Sequence, residues 1–517
     1  MSTLLLQSEG ESPVPIVVVG AGIAGLSAAL HLAEREVQTL VLEADPQFCG
    51  GRVAAGETVE VGDWHFCQDH GVHAVWSPYR NLLATLTRHQ IRPMLVPAQE
   101  ESWVYRRRGR IRRAAVGSAI RYSWLPAPFH YLNLFLRPDF LRALTLQDWL
   151  SLPLVWYGLA MAIGIDPLRE DQPMEGWVLD DLMRGWSPAL RAFFIGLARN
   201  GLSAQANEIP LSGFIAFLRF YTLLRRDSWA FSYLPDDGGT SLVDPLVARV
   251  QALGGAIVLG TRVTHLELIP EGWALHWTHE GTRGQVRTSR IILATDAPAT
   301  AQILDNSPDL AVQAGGLYWP RGLETAVVRL WFDRSPHVGP EAGVFSGNWT
   351  PDNFFWLHRI QDPYVHWHRA TGGSALEAHI YGPPELLAEP DRKLLLRTIT
   401  DVEFAFPELR GHRIQQAMRR NPSSHTLFGL GPADRHLGTV TPWPGLFCCG
   451  DWVRHPSPAF FMERACVTGI AAANAVLEAQ GLPTWPLLEG LPPEPLAGGI
   501  ERLMHQGRRI LRRKKGR

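Results

Sequence analysis

Ile16-Val-Val-Val-Gly20-Ala-Gly22-Ile-Ala-Gly25-Leu-Ser-Ala-Ala-Leu30 is the stretch on which the reading of the whole chain turns. The apolar run from Ile16 to Val19 predicts a buried strand. It leads directly into Gly20-x-Gly22-x-x-Gly25, and Leu26, Ala29, Leu30 and Ala33 follow at helical spacing. A second apolar strand, Thr39 to Leu42, ends on an acid, Glu43. A glycine fingerprint acquires meaning only in this strand–turn–helix–strand setting. Gly20 permits the tight turn, Gly22 lets the backbone approach a pyrophosphate, and Gly25 lets helix and strand pack closely. Ile23 and Ala24 open the helix, where backbone amides and the helix dipole favour phosphate. Glu43 is placed to accept hydrogen bonds from a ribose 2′-hydroxyl, and its charge would repel a 2′-phosphate, which argues against NADP.

Two further motifs extend this reading. Gly50-Gly51-Arg52 follows the second strand at an offset that suits another close backbone approach and a guanidinium for phosphate. At that offset it points to a flavin dinucleotide rather than a nicotinamide one. Far along the chain, Leu446-Phe-Cys-Cys-Gly450-Asp451 predicts a strand ending in Gly-Asp, with a small-residue helix from Phe461 to Leu477. Such an ending places a carboxylate on ribityl hydroxyls. The next helix start points amides at the flavin pyrimidine oxygen, where reduced flavin gathers negative charge.

With 517 residues the chain is long enough for two lobes. A formal charge of −1 excludes a general polyanion binder, so nucleic acid is not an expected partner. Cys49, Cys67, Cys448, Cys449 and Cys466 show no zinc or iron–sulfur spacing, so no metal is expected and the thiols read as free and reduced. Lysine occurs only at Lys393, Lys514 and Lys515, which restricts any mechanism needing one. Met1 to Pro15 has no basic region followed by an apolar core, the pattern of a signal peptide. The uncharged run Trp149 to Ile165 is short for a bilayer crossing and contains Pro153, so a buried or interfacial helix is expected.

Asp69-His70-Gly71-Val72-His73, with Tyr79 and Asn81 beyond it, is dense in groups that exchange protons; Asp69, His70 and His73 are the candidate bases. Read blandly, it is a loop whose histidines cap neighbouring backbone. Arg106, Arg107, Arg108, Arg110, Arg112 and Arg113 crowd ahead of aromatic segments between Tyr122 and Tyr157. The combination reads as a surface meeting anionic lipid headgroups, against a solvated face beside a helical core. After Gly481 come repeated prolines. Glu501 to Arg517, with its basic residues from Arg508 onward, then reads as a basic tail, either disordered or a second membrane anchor.

Gly20-x-Gly22-x-x-Gly25, Glu43, Gly50-Gly51-Arg52 and Gly450-Asp451 with its trailing helix resemble the FAD-dependent amine oxidase and phytoene desaturase superfamily. Asp69 to His73, Tyr79, Asn81 and Phe461-Met-Glu463-Arg464-Ala465 are most similar to carotenoid desaturases of the isorenieratene synthase type, although Asp69 stands where that pattern has glutamate. The resemblance implies an α/β fold with α+β elements in the second lobe: a Rossmann-like FAD-binding domain with an interleaved substrate domain, as in amine oxidases. The expected division is residues 12–75, 234–300 and 440–480 for FAD, 76–233 and 301–439 for substrate, and 481–517 as tail. The resemblance carries Val263 over as an adenine contact and Glu463 as a cofactor-side residue.

The activity it implies is FAD-dependent desaturation of a long apolar polyene by a cytoplasmic protein peripheral on a membrane, with a ring methyl shift in the isorenieratene synthase type. The electron acceptor is left open. Three rivals stand beside it: a flavin amine oxidase, a non-redox carotenoid isomerase, and a lipid carrier on the same fold. Amine oxidases of the superfamily hold a lysine near flavin N5 on the strand matching Thr325 to Asp333, and that strand has none here. A long apolar tunnel opening toward Arg106–Arg113 is expected for a polyene, and a short polar cage for an amine.

Overall fold

The computed structural model describes residues 16–53, 56–107, 109–169, 174–337 and 339–515, without the side chains of Arg107 and of residues 509–515. The expectations for Met1 to Pro15, for the Arg107 side chain and Arg108, and for the basic side chains from Arg509 onward lie outside the described residues.

Five strands form one parallel sheet in the order Ala256–Val258, Thr39–Leu42, Ile16–Val19, Ile291–Leu293 and Leu446–Cys448. Strands of this kind, covered on both faces, read as unbroken apolar runs. The Gly20 turn leads into the helix Ile23–Ala33, which packs against the late helix Phe461–Ala479. The approach is close: a Cβ on Gly469 would lie 2.4 Å from the Ala24 carbonyl oxygen. The two ends of the chain thus close over one sheet. A three-stranded antiparallel sheet, Thr261–Ile269, Gly272–His279 and Thr282–Thr288, completes this unit.

The second unit is a seven-stranded mixed sheet in the order Arg413–Thr426, Gly322–Phe332, Ser374–Ile380, Asn353–Trp356, Ala342–Gly347, Glu101–Arg107 and Arg110–Ala115. A helical lobe stands beside it, built mainly from Leu146–Gly164, Pro188–Leu202 and Leu211–Leu218. The first of these helices starts at a capping box. Asp148 Oδ2 accepts from both the backbone N–H and the hydroxyl of Thr145, at 2.6 and 2.7 Å. Such a cap is worth about 1 kcal/mol. No described helix is long and apolar enough to cross a membrane.

Packing redraws the expected boundaries. The hairpin Glu57–Val61 and Trp64–Gln68 belongs with the second unit, since Val61 and Phe66 pack against Trp331, Tyr364 and Trp367. The helix Arg80–Arg88 packs on Phe461–Ala479 instead of on the substrate side. Residues 481–494, expected as the Pro-rich part of the tail, are a docked strap. Trp485 Nε1 donates to the His31 carbonyl at 2.9 Å, and Asn81 Oδ1 accepts from Leu488 N at 2.8 Å. The strap feeds a helix, Pro495–Lys515, that returns to the lobe. There Glu501 pairs with Arg219, and Met504 covers Gly164. Apolar and capping residues hidden among the prolines and charges hold this segment down.

Candidate active site

The sequence fingerprint becomes a cradle because its glycines meet. Gly20 has a φ of +103°, a conformation that favours glycine. A Cβ on Gly25 would sit 1.9 Å from the Gly20 carbonyl oxygen, so the helix can approach only without a side chain. At Gly22 a Cβ would meet nothing within 4 Å, because that face opens onto a cavity. Gly50 N donates to the Ala21 carbonyl at 2.8 Å, which lays the second glycine pair alongside the first.

Glu43 lines the same cavity. Its two oxygens accept from Ala21 N at 2.7 Å and Asp45 N at 2.9 Å. Burial pushes its carboxyl above the usual range, a cost offset in part by these amides. Val263 lies in the wall at a bulge of its strand.

Arg52 reaches across the cavity to the far end of the chain. Its Nη2 lies 2.7 Å from Asp451 Oδ2, and Thr426 Oγ1 donates to Asp451 Oδ1 at 3.1 Å. Burial works against ionisation of Asp451, but the charge and hydrogen bond of Arg52 outweigh it and hold the carboxyl below its ordinary range. Gly450 N donates to Thr468 Oγ1 at 3.0 Å, tying this turn to the closing helix. That helix begins at Phe461 with a φ of +48°, which is unusual for so bulky a side chain, and Phe461 faces the cavity. These groups fit FAD: an open backbone cradle for pyrophosphate, an acid for ribose, and a cationic and an anionic side chain beside the middle of the molecule. They would hold it as a two-electron acceptor.

One cavity of about 1080 Å³ joins this cradle to the helical lobe. Its far walls are aromatic and aliphatic: Phe135, Phe140, Leu152, Val155, Trp156, Leu159, Phe193 and Phe194. Trp76, Tyr79, Tyr221 and Phe461 stand between the two regions, with Tyr79 and Tyr221 hydroxyls 2.8 Å apart. Thr325 and Val327 line it from the strand Gly322–Phe332, which carries no lysine. Lys393 is on the surface, 2.9 Å from Glu389.

Three expectations need correction. Asp69 is not a wall residue. It is buried behind the wall, 2.8 Å from Arg329 Nη2, and accepts from Gly238 N at 3.0 Å. Arg329 also holds Glu377, at 2.6 Å, and donates to the Cys67 carbonyl and to Tyr364 Oη, so Asp69 belongs to a buried charge cluster rather than to the substrate. Glu463 faces away from the cofactor region. Its carboxylate accepts from Asn81 N and Nδ2 and from Leu82 N, all at 2.8–2.9 Å, and so caps the helix Arg80–Arg88. The arginine cluster does not border the cavity among the described residues. Arg106 pairs with Asp401 and covers Phe404, and Arg113 donates to the Ala405 carbonyl over the Phe406 ring.

His70 and His73 do line the cavity. His73 Nε2 is 3.1 Å from the Arg52 carbonyl oxygen, and burial pushes its imidazole below the ordinary value. The structure adds wall residues that the sequence reading did not single out: Thr325, His379, Tyr381, Asn421 and His425. One signal was present. Glu377, His379 and Tyr381 alternate at strand period, which puts polar groups on one face of an apolar run.

The chain matches the model of flavin-containing amine oxidoreductases over residues 23–477. It is 26% identical over 493 residues to a carotenoid phi-ring synthase of Streptomyces griseus, covering 92% of this chain and 89% of that protein. It is 28% identical over 273 residues to the chloroplastic/chromoplastic 15-cis-phytoene desaturase of Arabidopsis thaliana, covering 50% of this chain and 44% of that one. Cyclohexylamine oxidase from Brevibacterium oxydans shares the fold, with a TM-score of 0.64 at 16% identity over 91% of this chain and 100% of that one. The protein therefore belongs to the flavin-containing amine oxidoreductase family, as an FAD-dependent oxidoreductase.

Proposed function

We propose that this oxidoreductase removes hydrogen from a long apolar polyene of carotenoid type, taken up from a membrane surface. The observation that carries the reading is the single cavity connecting the FAD cradle to an apolar chamber in the helical lobe. Bound FAD supplies a two-electron acceptor. The chain's own residues orient the polyene, exclude water, and surround developing positive charge with aromatic faces at Trp76, Tyr221 and Phe461. Relatives named as a carotenoid phi-ring synthase and a phytoene desaturase support the substrate class. A ring desaturation with methyl shift is the finer form of the proposal, following the former name.

The membrane part rests on one helix with two apolar sides. Leu152, Val155 and Leu159 of Leu146–Gly164 line the chamber. On the other side Leu146, Leu150 and Tyr157 are 67–75% exposed, and the neighbouring Tyr122, Trp124 and Leu136 are 66–72% exposed. An apolar patch of this kind is costly in water and fits a bilayer interface, from which a polyene enters without crossing the solvent.

Incubating the holoenzyme with carotenoid-loaded liposomes and analysing products by mass tests the reading. The expected product is lighter by two hydrogens or a multiple of two. An isomer of unchanged mass, or no product while an amine is oxidised, would overturn it.

A further inference from the structure

From the cavity wall inward, Tyr381, His379 and Glu377 form a hydrogen-bond chain. Tyr381 Oη lies 2.8 Å from His379 Nδ1, and His379 Nε2 lies 2.7 Å from Glu377 Oε1. Glu377 is fully buried. Burial opposes its ionisation, but the Arg329 guanidinium and the hydrogen bonds from His379 and Arg329 outweigh that and hold its carboxyl below the ordinary range. Val72 N donates to the same Oε1 at 2.7 Å, and Arg329 Nε to Oε2 at 2.6 Å. An ionised carboxylate only accepts, so His379 must carry its proton on Nε2. In the neutral Nε2–H tautomer His379 Nδ1 is a bare acceptor, to which Tyr381 donates. Asn353 Nδ2 donates to Tyr381 Oη at 3.2 Å, which leaves one oxygen lone pair free. Tyr381 lines the cavity, and Ile380 before it pairs with Ala326, so Tyr381 follows on beside the wall residue Thr325.

We propose that Tyr381 Oη is the proton acceptor of the reaction, with His379 and Glu377 as the positioning groups that drain it. This rests on the polyene reading. FAD, when bound, would supply the two-electron oxidant that takes a hydride and leaves the substrate a delocalised cation. A neighbouring C–H bond breaks, its electron pair forms the new C=C bond, and its proton goes to Tyr381 Oη. The tyrosine's own proton passes to His379 Nδ1, and the imidazolium is stabilised by Glu377. Tyrosine is a weak base, but a C–H beside a carbocation is a strong acid, and no tyrosinate is needed when the hydroxyl proton leaves as the new one arrives. Gly71 keeps the relay compact: a Cβ there would lie 2.9 Å from His379 Nε2.

The test combines nitrogen NMR with single-turnover kinetics on holoenzyme. In ¹⁵N-histidine-labelled wild-type protein, His379 is expected as the neutral Nε2–H tautomer. A proton on Nδ1 would overturn the relay, and this measurement needs no variant to fold. In Tyr381→Phe, product formation falls about 100-fold, while flavin content and melting temperature hold. A polyene deuterated at the proton-losing carbon then shows an isotope effect that is near unity in wild type and rises in the variant. His379→Gln gives the same loss with the tyrosine in place. A Tyr381→Phe variant within twofold of an active wild type overturns the relay alone. An inactive, flavin-loaded wild type overturns the polyene reading and the relay with it.

Discussion

Arg52 Nη2 and Asp451 Oδ2 lie 2.7 Å apart, although the residues are separated by most of the chain. The pair forms where the loop after the second strand meets the turn after the last strand of the parallel sheet. It therefore exists only when the first and last parts of the dinucleotide unit have come together. Because it borders the cavity, the same contact that closes the fold also shapes the cofactor's bed.

Asp451→Asn keeps the shape and removes the charge. The folded-state pKa of Asp451 is depressed, so its contribution to stability is complete above the unfolded value of about 3.9 and is lost as pH falls through the folded value. The wild-type protein loses this contribution at acid pH, and the variant has none to lose. Melting curves between about pH 3 and pH 7 are expected to differ most near neutrality and to converge at the acid end. The variant is also expected to retain less FAD after gel filtration.

Arg329→Met leaves Asp69 and Glu377 buried without their shared cation. Removing one partner of a buried ion pair costs about 3–5 kcal/mol, and here two carboxylates lose it together. Chemical denaturation is expected to show a loss at or beyond the top of that range. Asp69→Asn, by contrast, retains the hydrogen-bonding shape and is expected to leave product formation within a few-fold of wild type, because Asp69 does not border the cavity.

Glu463→Gln separates the two readings of that residue. As a cap on Asn81 and Leu82 it contributes charge-assisted hydrogen bonds, and its loss is expected to cost about 1.5–3 kcal/mol with the flavin absorbance spectrum unchanged. A shifted spectrum at unchanged stability would return Glu463 to the cofactor.

Replacing Leu146, Leu150 and Tyr157 together by serine removes apolar surface that is already exposed. The melting temperature is expected to hold, while co-sedimentation with anionic liposomes falls at least tenfold. Each buried large side chain is worth about 1.5–3 kcal/mol at an apolar boundary, so three are enough for that change even at partial insertion.

The dinucleotide half was legible because its determinants are local. The Gly20–Gly25 turn, the apolar strands and the acid at Glu43 each act within a few residues, and Gly50-Gly51-Arg52 and Gly450-Asp451 sit at recognisable strand ends. The chamber half depends on partners distant in sequence. Nothing near Asp69 says that Arg329 will claim it, and nothing near Glu463 points to Asn81. The arginines of Arg106–Arg113 looked like one charged surface, yet alternation along a hairpin sends Arg106 onto Phe404 and Asp401 and leaves Arg110 exposed. The segment after Gly481 reads as a Pro-rich and then basic tail because prolines and charges dominate it; Trp485, Leu488 and Met504 dock it. A lone Arg329 inside Thr325-Ala-Val-Val-Arg-Leu-Trp-Phe, and the alternating Glu377, His379 and Tyr381, were the readable traces of the polar cluster.

The most direct test of the account is anaerobic mixing of the FAD-loaded protein with polyene-bearing vesicles while the flavin absorbance near 450 nm is followed, about the usual position of the oxidised band. Bleaching that depends on the polyene, with no response to primary or secondary amines, is the predicted result. Bleaching by an amine but not by any vesicle-borne polyene would contradict the account.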